Sequence, residues 1–144
     1  MPNLLLRLTL SRLNWLIMSA IKRYHSTLPL PFSRALEAGG FLFLSGQLPL
    51  DKKGQIVTGD IVRQTHAVFD RIEENLAAHQ LTLNDVVKAT VWLADLKDYP
   101  AFNAAYAERF QNVLPTRSLV EAKMVFNAAV EIEIQAWLGD TSPT

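Results

Sequence analysis

The segment Val130 to Leu138, VEIEIQAWL, alternates strictly: Ile132, Ile134 and Ala136 fall on one side of an extended chain, and Glu131, Glu133 and Gln135 on the other. A period of two describes a strand with one face on a core and one polar face. It does not suit a helix, whose apolar stripe recurs every three or four residues. The chain is therefore built around a sheet with two chemically distinct faces. A second extended stretch precedes it, PTRSLVEA from Pro115 to Ala122, with Arg117, Leu119 and Glu121 on one face and Ser118, Val120 and Ala122 on the other. A guanidinium keeps its proton in a protein and is costly to bury without partners. Arg117 thus predicts an anionic neighbour, supplied by the protein or by a ligand.

The remaining elements follow from spacing. Phe32 to Leu36 and Phe41 to Ser45 (FLFLS) are short β-prone runs separated by Gly39-Gly40, a hairpin signal. Ser45-Gly46-Gln47 ends the second of these strands, and DKKGQ is a solvated turn. From Asp60 to His79 the residues Ile61, Thr65, Val68, Ile72 and Leu76 recur at helical period. VVKATVWLA, Val86 to Ala94, is a strand rich in branched residues, and Tyr99 to Phe110 is a second helix with Phe102, Tyr106 and Phe110 four apart. The predicted order is β-β-α-β-α-β-β, an α+β fold of one sheet with two helices on one face.

Composition narrows the chemistry. At 144 residues the chain is the size of a single domain, and its 49% hydrophobic and 19% charged residues are those of an ordinary globular protein. Fourteen basic and fourteen acidic side chains give no net charge, which argues against a dedicated nucleic-acid or membrane-surface binder. There is no cysteine, which excludes disulfides, thiolate metal sites and cysteine nucleophiles. His25, His66 and His79 are scattered rather than clustered as metal ligands. A cytoplasmic protein with no metal and no cofactor is expected. The charge is uneven, however: Arg7, Arg12, Lys22, Arg23 and Arg34 all precede the first acidic residue, Glu37. The leucine-rich, basic start MPNLLLRLTLSRLNWLIM has the character of a targeting presequence, but Arg7 and Arg12 interrupt it too often for a spanning helix. The favoured reading is that residues 1–17 are an upstream extension and that residues 18–144 form one domain.

Two strands joined by the short connection KMVFNAA are expected to pair antiparallel. Glu131 and Glu133 are each an even number of residues from Arg117, so either carboxylate can share the arginine's face. The pattern suits a cross-strand ion pair of little energetic weight. It also suits an arginine that awaits a ligand.

Several separated stretches add a likeness that periodicity does not supply. LFLSGQLPLDKKGQI, VVKATVWLADLKDYPAFNAAYAERF, and LPTRSLVEAK followed by VEIEIQAW, resemble in order the RidA (YjgF) family of enamine/imine deaminases, over Pro31 to Leu138. The resemblance implies a chorismate-mutase-like α+β fold and a homotrimer with a site in each cleft between subunits. It places the family's carboxylate-binding arginine on Arg117, its strand-end serine and glycine on Ser45 and Gly46, and its second-helix asparagine on Asn103. The catalytic glutamate falls on Glu133 when the following alanine is matched to Ala136; the altered hairpin length keeps Glu131 open. The family's aromatic tyrosine is Phe32, without the hydroxyl. Its frequent cysteine is Leu119, where only the backbone is expected to face the substrate.

The implied chemistry is hydrolysis of short 2-enamino or 2-imino acids to 2-keto acids and ammonia. Arg117 would grip the carboxylate with two parallel hydrogen bonds, and Glu133 would activate water or shuttle a proton. Backbone N–H groups near Gly46 and Leu119 would help to hold substrate oxygens, and Phe32 and Leu119 would wall the side chain. Glu121 is expected in a solvated or interface salt bridge. A non-catalytic trimer binding a small carboxylate metabolite or a partner protein in the same cleft is the alternative. RNA cleavage is disfavoured by the neutral charge and by the lack of a histidine near these motifs.

Overall fold

The computed structural model describes residues 20–139. Within them lie six strands, β1 (Lys22–His25), β2 (Ser33–Ala38), β3 (Phe41–Gln47), β4 (Val86–Leu93), β5 (Thr116–Glu121) and β6 (Val130–Trp137), and two α-helices, α1 (Ile61–Ala77) and α2 (Tyr99–Phe110). The predicted elements are present within a residue or two, except that Phe32 lies just before β2 rather than in it. The strand β1 was not foreseen, because KRYH has no apolar alternation. The assignment of residues 1–17 to an extension lies outside the described residues.

Local chemistry accounts for the element ends. Gly39 and Gly40 both take positive φ, 59° and 85°, which a tight two-residue β2–β3 turn requires and which side chains resist. Asp60 caps α1 by accepting a hydrogen bond from Arg63 N at 2.9 Å. Pro100 sits in the first turn of α2, where its missing N–H costs nothing.

The strands form one sheet in the order β1-β2-β3-β6-β4-β5. All neighbours are antiparallel except β4 and β5, which run parallel. Because β3 and β4 both run antiparallel to β6, they are parallel to each other. Thus α1 connects two parallel strands across an intervening place, and α2 connects two that touch. The expected antiparallel pairing of β5 with β6 is not made: β4 lies between them. The connection 122–129 is long enough to step over one strand, since neighbouring strands are only about 4.8 Å apart and each extended residue spans about 3.3 Å.

Both helices cover one face of the sheet. Val68, Phe69, Ile72 and Leu76 of α1 and Phe102, Tyr106 and Phe110 of α2 share a core with Leu42, Leu44, Ala89, Val91, Ile132 and Ile134. Each of the larger side chains contributes about 1.5–3 kcal/mol by leaving water. Gln64, also buried, is satisfied at both ends, donating to Val57 O at 3.1 Å and accepting from Ala129 N at 2.8 Å. Outside the core, Arg109 of α2 bonds Asp70 at 2.9 Å and also Glu73, pinning α2 to α1. Among the described residues the opposite sheet face carries no helix. On it Phe43 and Trp137 remain 39% and 44% exposed, beside Glu131, Glu133 and Gln135.

Candidate active site

Arg117 lies on β5, at the edge of the sheet, with its side chain on the helix-covered face. Its register partner Ala89 and the next residue across, Ile134, are both core residues. The guanidinium reaches α2: Nη1 donates to Asn103 Oδ1 at 2.9 Å, and Nη2 approaches the Tyr99 hydroxyl at 3.5 Å. Beneath it lie aromatic rings, with centroids at 4.8 Å for Tyr106, 5.7 Å for Phe102 and 5.9 Å for Tyr99. Cation–π attraction of this kind stabilises by about 0.5–2 kcal/mol, depending on desolvation. Among the described residues no carboxylate comes within salt-bridge distance of Arg117. The cross-strand ion pair is therefore absent. The cation is oriented by an amide and by rings, none of which neutralises it.

The sequence pattern marks Phe102 and Tyr106 as residues of one helix and assigns Tyr99 no role beyond opening it. The signal was their spacing. Tyr99, Phe102, Asn103 and Tyr106 are three or four apart and so occupy one patch of a helix. Tyr106 is buried and its hydroxyl has no partner among the described residues; burial pushes its pKa up to about 12, partly opposed by the Arg117 charge.

Glu133 stands on the other face, opposite Thr90 of β4, and Thr90 also faces Ser118. The even-number relation of Glu131 and Glu133 to Arg117 does not bring them together, because register across the intervening β4 places the arginine and the glutamates on opposite faces. The β3–β6 ladder shifts between Leu44 and Gln47, so Ser45 and Gly46 form a bulge beside Glu133. Ser45 Oγ donates to Ser33 O at 2.6 Å, tying the bulge to the residue after Phe32. Phe32 itself is 53% exposed. Glu131 lies over Gly46: a Cβ at that position would overlap Glu131 Oε1. Burial, and then the neighbouring Glu133, raise the Glu131 carboxyl pKa above the usual range.

Of the expected site residues, then, Arg117 and Asn103 meet through a hydrogen bond, whereas Ser45 and Gly46 lie in the bulge of β3 opposite Glu133, and Phe32 precedes the Ser33 carbonyl that Ser45 bonds. Leu119 turns its side chain toward the core, while its backbone runs along the edge strand. Glu121 makes no salt bridge among the described residues; it accepts from Leu96 N at 2.9 Å and holds the turn before α2. Two shallow clefts, of about 430 Å³ and 370 Å³, lie instead along the β5–β6 connection, lined in part by Ala122, Lys123 and Met124. Neither contains Arg117 or Glu133.

A six-stranded mixed sheet covered on one face by two crossover helices is the chorismate-mutase-like α+β architecture. The chain belongs to the RidA/YjgF family, since residues 26–138 match the family described as endoribonuclease L-PSP. It is 44% identical to a RutC family protein of Pyrococcus horikoshii over 109 residues, 74% of this chain and 86% of that one. It is 35% identical to the mitochondrial protein Mmf1 of Saccharomyces cerevisiae over 106 residues, 73% of each. The crystal structure of the YjgF gene product of E. coli superposes with a TM-score of 0.74 at 28% identity, covering 81% of this chain and 98% of that one.

Proposed function

We propose that the protein hydrolyses short 2-enamino or 2-imino acids to 2-keto acids and ammonia, in clefts formed between copies of the chain in a homotrimer. The observation that carries this reading is the state of Arg117: a fixed cation oriented by Asn103 and three rings, with no carboxylate partner among the described residues. Such a group is prepared for a planar anion, and a bidentate guanidinium–carboxylate pair fixes the carbon next to the carboxylate. Glu133 then serves as general base toward water and as proton donor to the departing nitrogen. Imines are reactive enough for positioning and proton transfer to suffice.

Arg117 and Glu133 emerge on opposite faces of one sheet, so the reading requires a glutamate from a second copy at each arginine. The open face with Phe43 and Trp137 is suited to that contact. The outer edge of β5, unpaired among the described residues, leaves backbone groups near Leu119 for a substrate oxygen. The endoribonuclease description attached to the family points to RNA instead. In this chain His66 contacts Arg109 and Glu108, and His79 contacts Glu37, while acidic and basic residues balance at fourteen each. These features favour the small anion. A carboxylate binder without catalysis is the second reading, and the missing hydroxyl at Phe32 favours it.

Coupling a serine or threonine dehydratase to the protein tests the proposal. Faster keto-acid release than the dehydratase alone supports it, and an unchanged rate rejects it. Scattering that returns a monomer at micromolar concentration removes the shared clefts.

A further inference from the structure

We propose that the Tyr99 hydroxyl is a second hydrogen-bond donor to the anion held by Arg117, so that one carboxylate oxygen is gripped by guanidinium and phenol together. The inference rests on the carboxylate-binding part of the function proposed above and adds a residue that neither sequence nor family likeness marked.

Tyr99 opens α2 and is 42% exposed, unlike Phe102 and Tyr106 on the same helix, which are buried. Its oxygen lies 3.5 Å from Arg117 Nη2, at the outer limit of hydrogen bonding. The direction of that contact matters. A guanidinium has donors only, so it gives a proton toward the phenol oxygen and can take none back. The phenol's own proton must then point away from the cation, and among the described residues it has no acceptor. An acceptor placed beside Nη2 meets both donors at once. Polarisation by the adjacent cation strengthens the phenol as a donor.

The rest of the site is consistent with this division of labour. Nη1 already gives one hydrogen to Asn103, which leaves the Nη2 side as the freer approach for a ligand. The Tyr106 hydroxyl cannot share the task, being enclosed in the core, and Phe32 brings no hydroxyl. The Tyr99 ring centroid is the farthest of the three from the guanidinium, at 5.9 Å, so this residue borders the cation rather than supporting it from below.

The test is calorimetric titration of the full-length protein with 2-oxobutanoate, a stable carboxylate, alongside its neutral amide 2-oxobutanamide. Tyr99→Phe should weaken carboxylate binding about tenfold, the loss of one hydrogen bond to a charged group, and change amide binding much less. Arg117→Ala should abolish carboxylate binding. Unchanged melting temperature and oligomeric state in Tyr99→Phe exclude a folding effect, and Tyr99→Trp, which keeps an exposed ring but moves the donor, should also bind weakly. Carboxylate affinity within twofold of wild type in Tyr99→Phe overturns the proposal, as does a wild-type protein that binds no 2-oxobutanoate. The coupled dehydratase assay is read separately. Binding that depends on Tyr99 in a protein without deaminase activity would uphold this inference and reject the proposed reaction.

Discussion

Arg117 and Glu133 face opposite sides of the same sheet, because their register partners on β4, Ala89 and Thr90, are consecutive residues. No rotamer change joins them, since the row between is filled by Ala89 and Ile134, both essentially inaccessible. Chemistry that uses both side chains has to be assembled from two copies. Each partial site can therefore be disabled separately, and mixing two inactive variants becomes informative.

Arg117→Lys keeps the charge but loses the planar fork. Deaminase turnover should fall by roughly 10- to 100-fold, equivalent to the loss of one or two charge-assisted hydrogen bonds, with melting temperature little changed. Steady-state kinetics beside a thermal melt would check this. Full activity in the lysine variant would make the arginine a packing residue.

Glu133→Gln should lose at least about 100-fold in kcat, because an amide cannot act as the base. Glu131→Gln should retain most activity and become somewhat more stable above the normal glutamate range. The sign follows from its raised pKa: the native state holds that proton more tightly than the unfolded chain, so stability present at low pH is lost as the carboxyl ionises. Denaturant titrations at acid and neutral pH would measure the difference. If the two glutamates exchange behaviour, Glu131 is the base.

Gly46→Ala should fold but displace Glu131, whose Oε1 occupies the place of the new methyl group. In a double-mutant cycle with Glu131→Ala the two effects should be non-additive by at least about 0.5 kcal/mol. Additive unfolding energies would mean that the glycine serves only the backbone bulge.

The Tyr106 hydroxyl is buried and has no partner among the described residues, so Tyr106→Phe should be neutral or stabilising by up to about 1 kcal/mol. Wild-type stability should also decline with alkali. The unfolded phenol ionises near pH 10 while the native one resists until about pH 12, so stability is fully present below the first value and lost between the two. Melting temperatures of wild type and variant should draw apart across that window if the phenol is responsible, the variant keeping the stability that wild type loses.

The sequence was most informative where one period persists. The alternation in Val130–Trp137 and the helical spacing from Ile61 to Leu76 reproduce the burial seen in β6 and α1. The short strand β1 escaped notice because only Tyr24 turns inward, its hydroxyl donating to Glu37 at 2.9 Å. Strand order was harder. The seven residues of KMVFNAA read as a hairpin connection, yet a strand–helix–strand unit had already claimed the place beside β4 for β5. That error carried into the site: Arg117 was read as an arginine in need of an anion, and the carboxylates offered to it, Glu131 and Glu133, lie on the other face of the sheet. The residues that do orient it belong to α2, and a helical wheel shows that they are adjacent without showing which strand they will meet.

The central position of β6 affects how the chain is made. The ladders to β3 and β4 both depend on Val130–Trp137, so a growing polypeptide that has completed both helices still exposes two bare strand edges and an unfilled apolar slot. Closure waits for a segment translated well after everything it must join, and until then the nascent protein is open to pairing with other chains. Ribosome-associated chaperones, or slow codons before Val130, would act on this interval rather than on the finished fold.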